Sequence, residues 1–138
     1  AHSRPVTLTA QLKNYGGDGA YLAVYLTDAK GAYARTLWVA GGKAKYYKHL
    51  ADWSRLSAGD AKRLNGVTGA SVGAGRTLRV TADLADALID AGYEIRIDAA
   101  VEDMRDSPSE VRLPLTAAGA GKAQAGKQYI QSASFQLK

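Results

Sequence analysis

From Tyr93 to Val101, apolar residues take every second place: Tyr93, Ile95, Ile97, Ala99 and Val101 on one side, with Glu94, Arg96 and Asp98 on the other. A period of two is that of a strand with one buried face, and it is incompatible with an amphipathic helix. The same rhythm recurs over Val6–Leu12, Tyr21–Leu26, Tyr33–Ala40, Thr77–Ala82, Val111–Leu115 and Gln128–Leu137. Small and polar stretches separate these runs. Tyr15-Gly16-Gly17-Asp18-Gly19 breaks the chain after the first, Asp28-Ala29-Lys30-Gly31 reads as a hairpin turn, and Ala117–Lys127 is a Gly/Ala loop. About seven strands at such spacing predict an all-β fold, an immunoglobulin-like antiparallel β-sandwich. Pro114 lacks a backbone donor, so its strand belongs at a sheet edge.

Two segments leave this rhythm. Tyr46, Tyr47, Leu50, Trp53 and Leu56 recur at spacings near three and four, which predicts one short amphipathic helix between Lys45 and Arg55. Asp83–Gly92 is helical by propensity, with Asp83 placed to cap it and Gly92 to end it; a bent connection between strands is the competing reading. The chain of 138 residues is the size of one domain, spanning 1–138, without internal repeats. Its longest interruption, about 41–75, is an insertion into the sandwich, and insertions of that length are usually functional.

Composition excludes several chemistries. There is no cysteine, hence no disulfide, thiolate ligand or thiol nucleophile. No apolar run is long enough to span a bilayer, so the chain is not expected to cross a membrane itself. No signal peptide is recognisable, and Ala1-His2-Ser3 could equally be a processed or an artificial terminus. The net charge of +5 is mild. Its densest patch is Lys43, Lys45 and Lys48 with Arg55, Lys62 and Arg63. That patch lacks the stripe and module of a nucleic-acid binder; it suits a phosphorylated cofactor or an acidic partner better. His49 is the only interior histidine, and zinc spacings are absent. A haem held by His49 and Met104 lacks a supporting motif. No Gly-x-Ser-x-Gly elbow is present. Asp98, Glu102 and Asp103 gather near a strand end, but no substrate site accompanies them.

One stretch inside the insertion carries chemistry of its own. Asn65-Gly66-Val67-Thr68-Gly69-Ala70-Ser71 sets two hydroxyls around a Gly-Ala pair and runs on into Val72-Gly73-Ala74-Gly75. Such a stretch has little side chain to bury, so its backbone and hydroxyls are open to another protein's active site. It resembles the acceptor motif of proteins flavinylated by periplasmic flavin transferases. Gly66, Thr68, Gly69 and Ala70 match that pattern. Ser71 takes the acceptor place, more often a threonine, and Asn65 stands where the pattern prefers aspartate.

The resemblance extends further. Arg35-Thr36-Leu37-Trp38-Val39, Lys43-Ala44-Lys45-Tyr46-Tyr47-Lys48-His49-Leu50, Val67-Thr68-Gly69-Ala70-Ser71 and Tyr93-Glu94-Ile95-Arg96-Ile97-Asp98-Ala99-Ala100 are together similar to one family of bacterial periplasmic proteins, domain-of-unknown-function family 2271. The resemblance implies export to the periplasm, FMN bound covalently to Ser71 through a phosphoester, and a role in electron transfer rather than catalysis. It also implies two partners, a periplasmic flavin transferase and a membrane PepSY-type reductase. Ser71, Ala70, Gly69, Thr68 and Asn65 would form the attachment site. Trp38, Tyr46, Tyr47 and Trp53 are candidates to stack on the flavin ring, although aromatics at helical spacing are more often core. Lys43, Lys45, Lys48, Arg63 and Arg76 are candidates to offset the phosphate charge. The rival reading is a cofactor-free β-sandwich module that docks a membrane redox partner.

Overall fold

The computed structural model describes residues 2–58, 64 and 66–138. Eight strands are seen among them: β1 (Ser3–Leu12), β2 (Ala20–Thr27), β3 (Tyr33–Ala40), β4 (Thr68–Gly69), β5 (Thr77–Ala85), β6 (Glu94–Val101), β7 (Ser107–Pro114) and β8 (Ile130–Leu137). They form two sheets, β5-β1-β8 and β4-β3-β2-β6-β7. Every pairing is antiparallel except β3 with β4. The sheets face one another across a core to which β1 gives Val6, Leu8, Ala10 and Leu12. β2 adds Leu22, Val24 and Leu26, β6 adds Ile95, Ile97, Ala99 and Val101, and β8 adds Ala133 and Phe135. This is the sandwich predicted from the alternating runs, with β7 at an edge as Pro114 requires.

The five-stranded sheet is buried on both faces. Its outer face carries Ala23, Tyr25, Val39 and Ala100, which pack under Leu50, Trp53 and Leu64 of the insertion. The molecule therefore has three layers: the small sheet, the large sheet and the insertion. A bulge in β3 serves the two faces at once. Val24 pairs with Trp38 and the next residue, Tyr25, with Thr36, so Leu37 is the extra residue. Leu37 and Trp38 both turn to the inter-sheet core, whereas Val39 joins the outer cluster.

Three local expectations are corrected. The single helix over Lys45–Arg55 is two pieces, a 3₁₀ segment Ala44–His49 and α1 (Ala51–Leu56), divided at Leu50 with φ −82° and ψ 73°. Asp83–Gly92 is mostly not helical. β5 continues to Ala85 because β1 begins at Ser3 and pairs Ser3 with Ala85, Arg4 with Leu84 and Pro5 with Asp83. Leu84 is thereby sealed in the core, and pairing across the sheet overrides helix propensity. Only the 3₁₀ turn Asp86–Leu88 follows, and Asp83 caps nothing. Finally, the loop expected around Thr68 and Gly69 contains β4.

Candidate functional site

Ser71 lies on a segment that crosses the end of the large sheet. Val67 O accepts from Val39 N–H at 2.8 Å and Gly69 O from Gly41 N–H at 2.8 Å, while Ala20 and Val72 exchange N–H···O bonds of 2.7 and 3.0 Å. These bonds fix the backbone on both sides of the hydroxyl. Val72 is buried in the inter-sheet core, so alternation turns its neighbour Ser71 to the opposite, outer side. Gly19 shows the same thing independently. A Cβ on Gly19 would meet Ser71 Oγ at 2.6 Å and Ser71 Cβ at 3.1 Å. Ser71 occupies the space that a side chain at position 19 would need, on the side of the chain shared with Tyr21.

The flank that precedes Ser71 is bare. Thr68, Ala70 and Ser71 are all exposed. Gly69 lies against the Trp38 indole, where an added Cβ would approach Cζ2 to 2.6 Å. The glycine is thus required by close approach to the ring. Trp38 is the aromatic residue beside the acceptor-like stretch. Asn65, Lys62 and Arg63 lie outside the described residues.

The other sequence candidates separate into two groups. Trp53 is only 2% exposed. Its indole N–H donates to Thr36 Oγ1 at 2.9 Å, and its ring meets Tyr47 edge-on at 5.8 Å between centroids. Trp53 is a core residue of the outer layer and has no free face for a ligand. Tyr47 is half-buried and donates to Gly41 O at 3.0 Å. Its ring lies 6.2 Å from Tyr21. Lys48 is exposed. Lys43 and Lys45 bring their ammonium groups to 5.9 and 5.5 Å from the Tyr46 ring centroid.

Tyr46 borders a cleft of about 290 Å³ on this same outer side, shared with Tyr21, His49, Glu102, Met104 and Asp106. Tyr21 and Tyr46 meet edge-on at 5.7 Å. The Tyr46 hydroxyl donates to Glu102, and that bond to a carboxylate raises the phenol above its usual range. His49 Nδ1 pairs with Asp106 Oδ2 at 3.0 Å. In the sequence His49 and Met104 come together only as a haem pair without a motif, and Glu102 only as one of several carboxylates near a strand end; their convergence on one cleft needs the fold of the insertion over β6 and the turn after it. Among the described residues no group of histidine and acidic side chains could hold a metal ion.

Asp98 is the polar anchor of the whole face. It is fully buried and accepts from Tyr25 OH at 2.8 Å, Trp53 N–H at 2.7 Å and Ser109 N–H at 2.8 Å. Trp53 N–H is one of the donors left free at the start of α1, so a strand residue caps the helix from outside. Burial pushes the Asp98 carboxyl above the usual carboxylate range, against the three hydrogen bonds that favour its ionised form. Next to it Asp52 accepts from Ser109 Oγ at 2.6 Å. Burial works against the Asp52 charge too, but the bonds from Ser109 and Arg55 prevail and hold its pKa below the usual value. The sequence reading turned Asp98 toward solvent with Glu94 and Arg96. The insertion covers that position instead.

Fold and site together define a β-sandwich whose long insertion seals one outer face and leaves a bare serine hydroxyl at its margin. The chain belongs to the DUF2271 family, described as a predicted periplasmic protein, whose model matches residues 3–132. No curated protein and no solved structure matches it.

Proposed function

We propose that the protein is a periplasmic electron carrier with FMN attached to Ser71 through a phosphoester. The observation that carries this reading is the position of Ser71: an exposed primary hydroxyl, held by backbone hydrogen bonds on both sides, preceded by Gly69 and Ala70, which have almost no side chain, and followed by Val72, whose side chain is turned into the core. A modifying enzyme must bring a bulky nucleotide within bonding distance of the oxygen, and the exposure of Thr68, Ala70 and Ser71 favours that approach. The description of the family as periplasmic agrees with modification outside the cytoplasm.

The attachment balances with a flavin dinucleotide as donor. Ser71 Oγ attacks the phosphorus on the flavin side of the pyrophosphate and forms the new P–O bond. The P–O bond to the other phosphate breaks, AMP leaves, and the serine proton passes to the transferase's base. The flavin then supplies the redox chemistry, and the protein supplies position and surroundings. Lys43 and Lys45 contribute positive charge on the same side of the molecule. A membrane PepSY-type reductase is the proposed electron partner; among the described residues no helix is long and apolar enough to cross a membrane.

The test is co-expression with a flavin transferase followed by denaturing electrophoresis. Yellow fluorescence that stays with the denatured band, and after proteolysis with the peptide containing Ser71, is the expected result. A colourless band, or label on another peptide, would leave the cofactor-free docking module as the better account.

A further inference from the structure

We propose that the cleft bordered by Tyr21, Tyr46, His49 and Met104 is the seat of the flavin's isoalloxazine ring. This inference rests on the reading of Ser71 as the attachment point. Position is the first argument. Ser71 Oγ lies 2.6 Å from where a Gly19 Cβ would be, and Met104 Sδ lies 2.6 Å from where a Gly17 Cβ would be. Gly19 is one strand repeat, roughly 7 Å, from Tyr21, whose ring walls the cleft. A phosphate followed by a ribityl chain is longer than that step, so the tether spans it.

Chemistry is the second argument. The walls are two tyrosine rings and a thioether, which suit a flat aromatic ligand; sulfur at a ring edge is favourable in itself. Met104 is the one large hydrophobic side chain found exposed among the described residues, at 40%. At the margin, His49 paired to Asp106 offers a polar edge to the ring's nitrogen and carbonyl atoms. The volume of about 290 Å³ lies near the lower limit for small-molecule pockets and suits a ring system rather than a whole dinucleotide.

Charge is the third. Glu102, Asp103, Asp106 and His49 line this cleft, and Lys43 and Lys45 stand at its margin, 5.9 and 5.5 Å from the centroid of the Tyr46 ring. The lining carboxylates disfavour a phosphate inside the cleft but tolerate the neutral ring, while the lysines leave the positive charge at its margin. The cleft therefore suits a ring whose phosphate is held elsewhere, on Ser71.

The experiment measures flavin fluorescence of labelled protein whose covalent FMN has been verified by mass. Quenching relative to free FMN is expected, and Tyr46→Ala and Met104→Ala should each restore emission while the label stays attached. Labelled wild type as bright as free FMN, with no response to either variant, would overturn the proposal and leave the attachment to Ser71 intact. If no label is gained, the reading of Ser71 fails by itself, and titration of the unlabelled chain with riboflavin decides the cleft. Saturable quenching, weakened about tenfold by Tyr46→Ala, upholds it. No saturable quenching, or binding indifferent to Tyr46→Ala, overturns it.

Discussion

Asp98 shows how much one side chain settles in this protein. On β6, it joins β2, the start of α1 and the start of β7 through three hydrogen bonds to one buried carboxylate. Asp98→Ala leaves two buried donors, Tyr25 OH and Trp53 N–H, and the partly buried Ser109 N–H without this acceptor, at about 1–3 kcal/mol for each buried one. Urea denaturation should therefore show a loss of several kcal/mol, and a loss under about 1 kcal/mol would contradict this role. The pH dependence has a definite sign. Because burial raises the folded pKa, the folded chain keeps this proton to higher pH than the unfolded chain does. The contribution of Asp98 is thus greatest below the unfolded carboxylate pKa, about 3.9, and declines as pH rises through the folded value. Asp52 has the opposite sign: its lowered pKa adds stability above the unfolded value, lost as pH falls through the folded one. Comparing wild type with Asp98→Asn across the acid range isolates the first effect, and the wild type's advantage should shrink as pH rises. Gly69 is the other decisive residue. Gly69→Ala must displace the Trp38 ring, at about 1–3 kcal/mol, with a shift in tryptophan emission. Unaltered emission and stability would show that the ring has room.

Among the elements, the insertion is where the sequence was hardest to read. The helical period around Trp53 was visible, but the period does not say which face the helix covers. Alternation on β6 suggested one buried side, and only the docked insertion shows that the second side is buried too. The aromatic candidates divide for the same reason. Trp53 faces the sheet, whereas Tyr46 stands at the cleft. Trp53→Ala should cost about 3–5 kcal/mol and lower the melting temperature. FMN attachment measured where the variant is still folded should be unchanged; a variant of normal stability that loses flavin spectral features would return Trp53 to the cofactor. The segment from Asp83 to Gly92 misled for a different reason. Its residues favour helix locally, but β1 begins earlier than its alternation suggested, with Pro5 breaking the apparent pattern, and so offers β5 extra partners.

At the scale of the whole molecule, the sandwich was legible because seven of its strands carry the period-two signature and are set apart by glycine-rich turns. β4 was not, since two residues hold no period; it exists because Val39 and Ala40 present backbone groups at an open sheet edge. The acceptor-like stretch was legible as a motif, but its placement was not. The sequence suggested a loop of weak local structure, and the fold instead draws it across the sheet end and points Ser71 to the insertion's side. That arrangement joins an exposed serine hydroxyl, an aromatic cleft and a basic margin on one face of a protein of the DUF2271 family. The central claim is the bond to Ser71, and intact mass tests it most directly. Wild type co-expressed with a flavin transferase should gain the mass of one FMN less water. Ser71→Ala should gain none while its circular dichroism and melting temperature stay those of the wild type, because an exposed hydroxyl contributes little to packing. An unlabelled wild type, or a Ser71→Ala variant that still gains the flavin mass, would contradict the account.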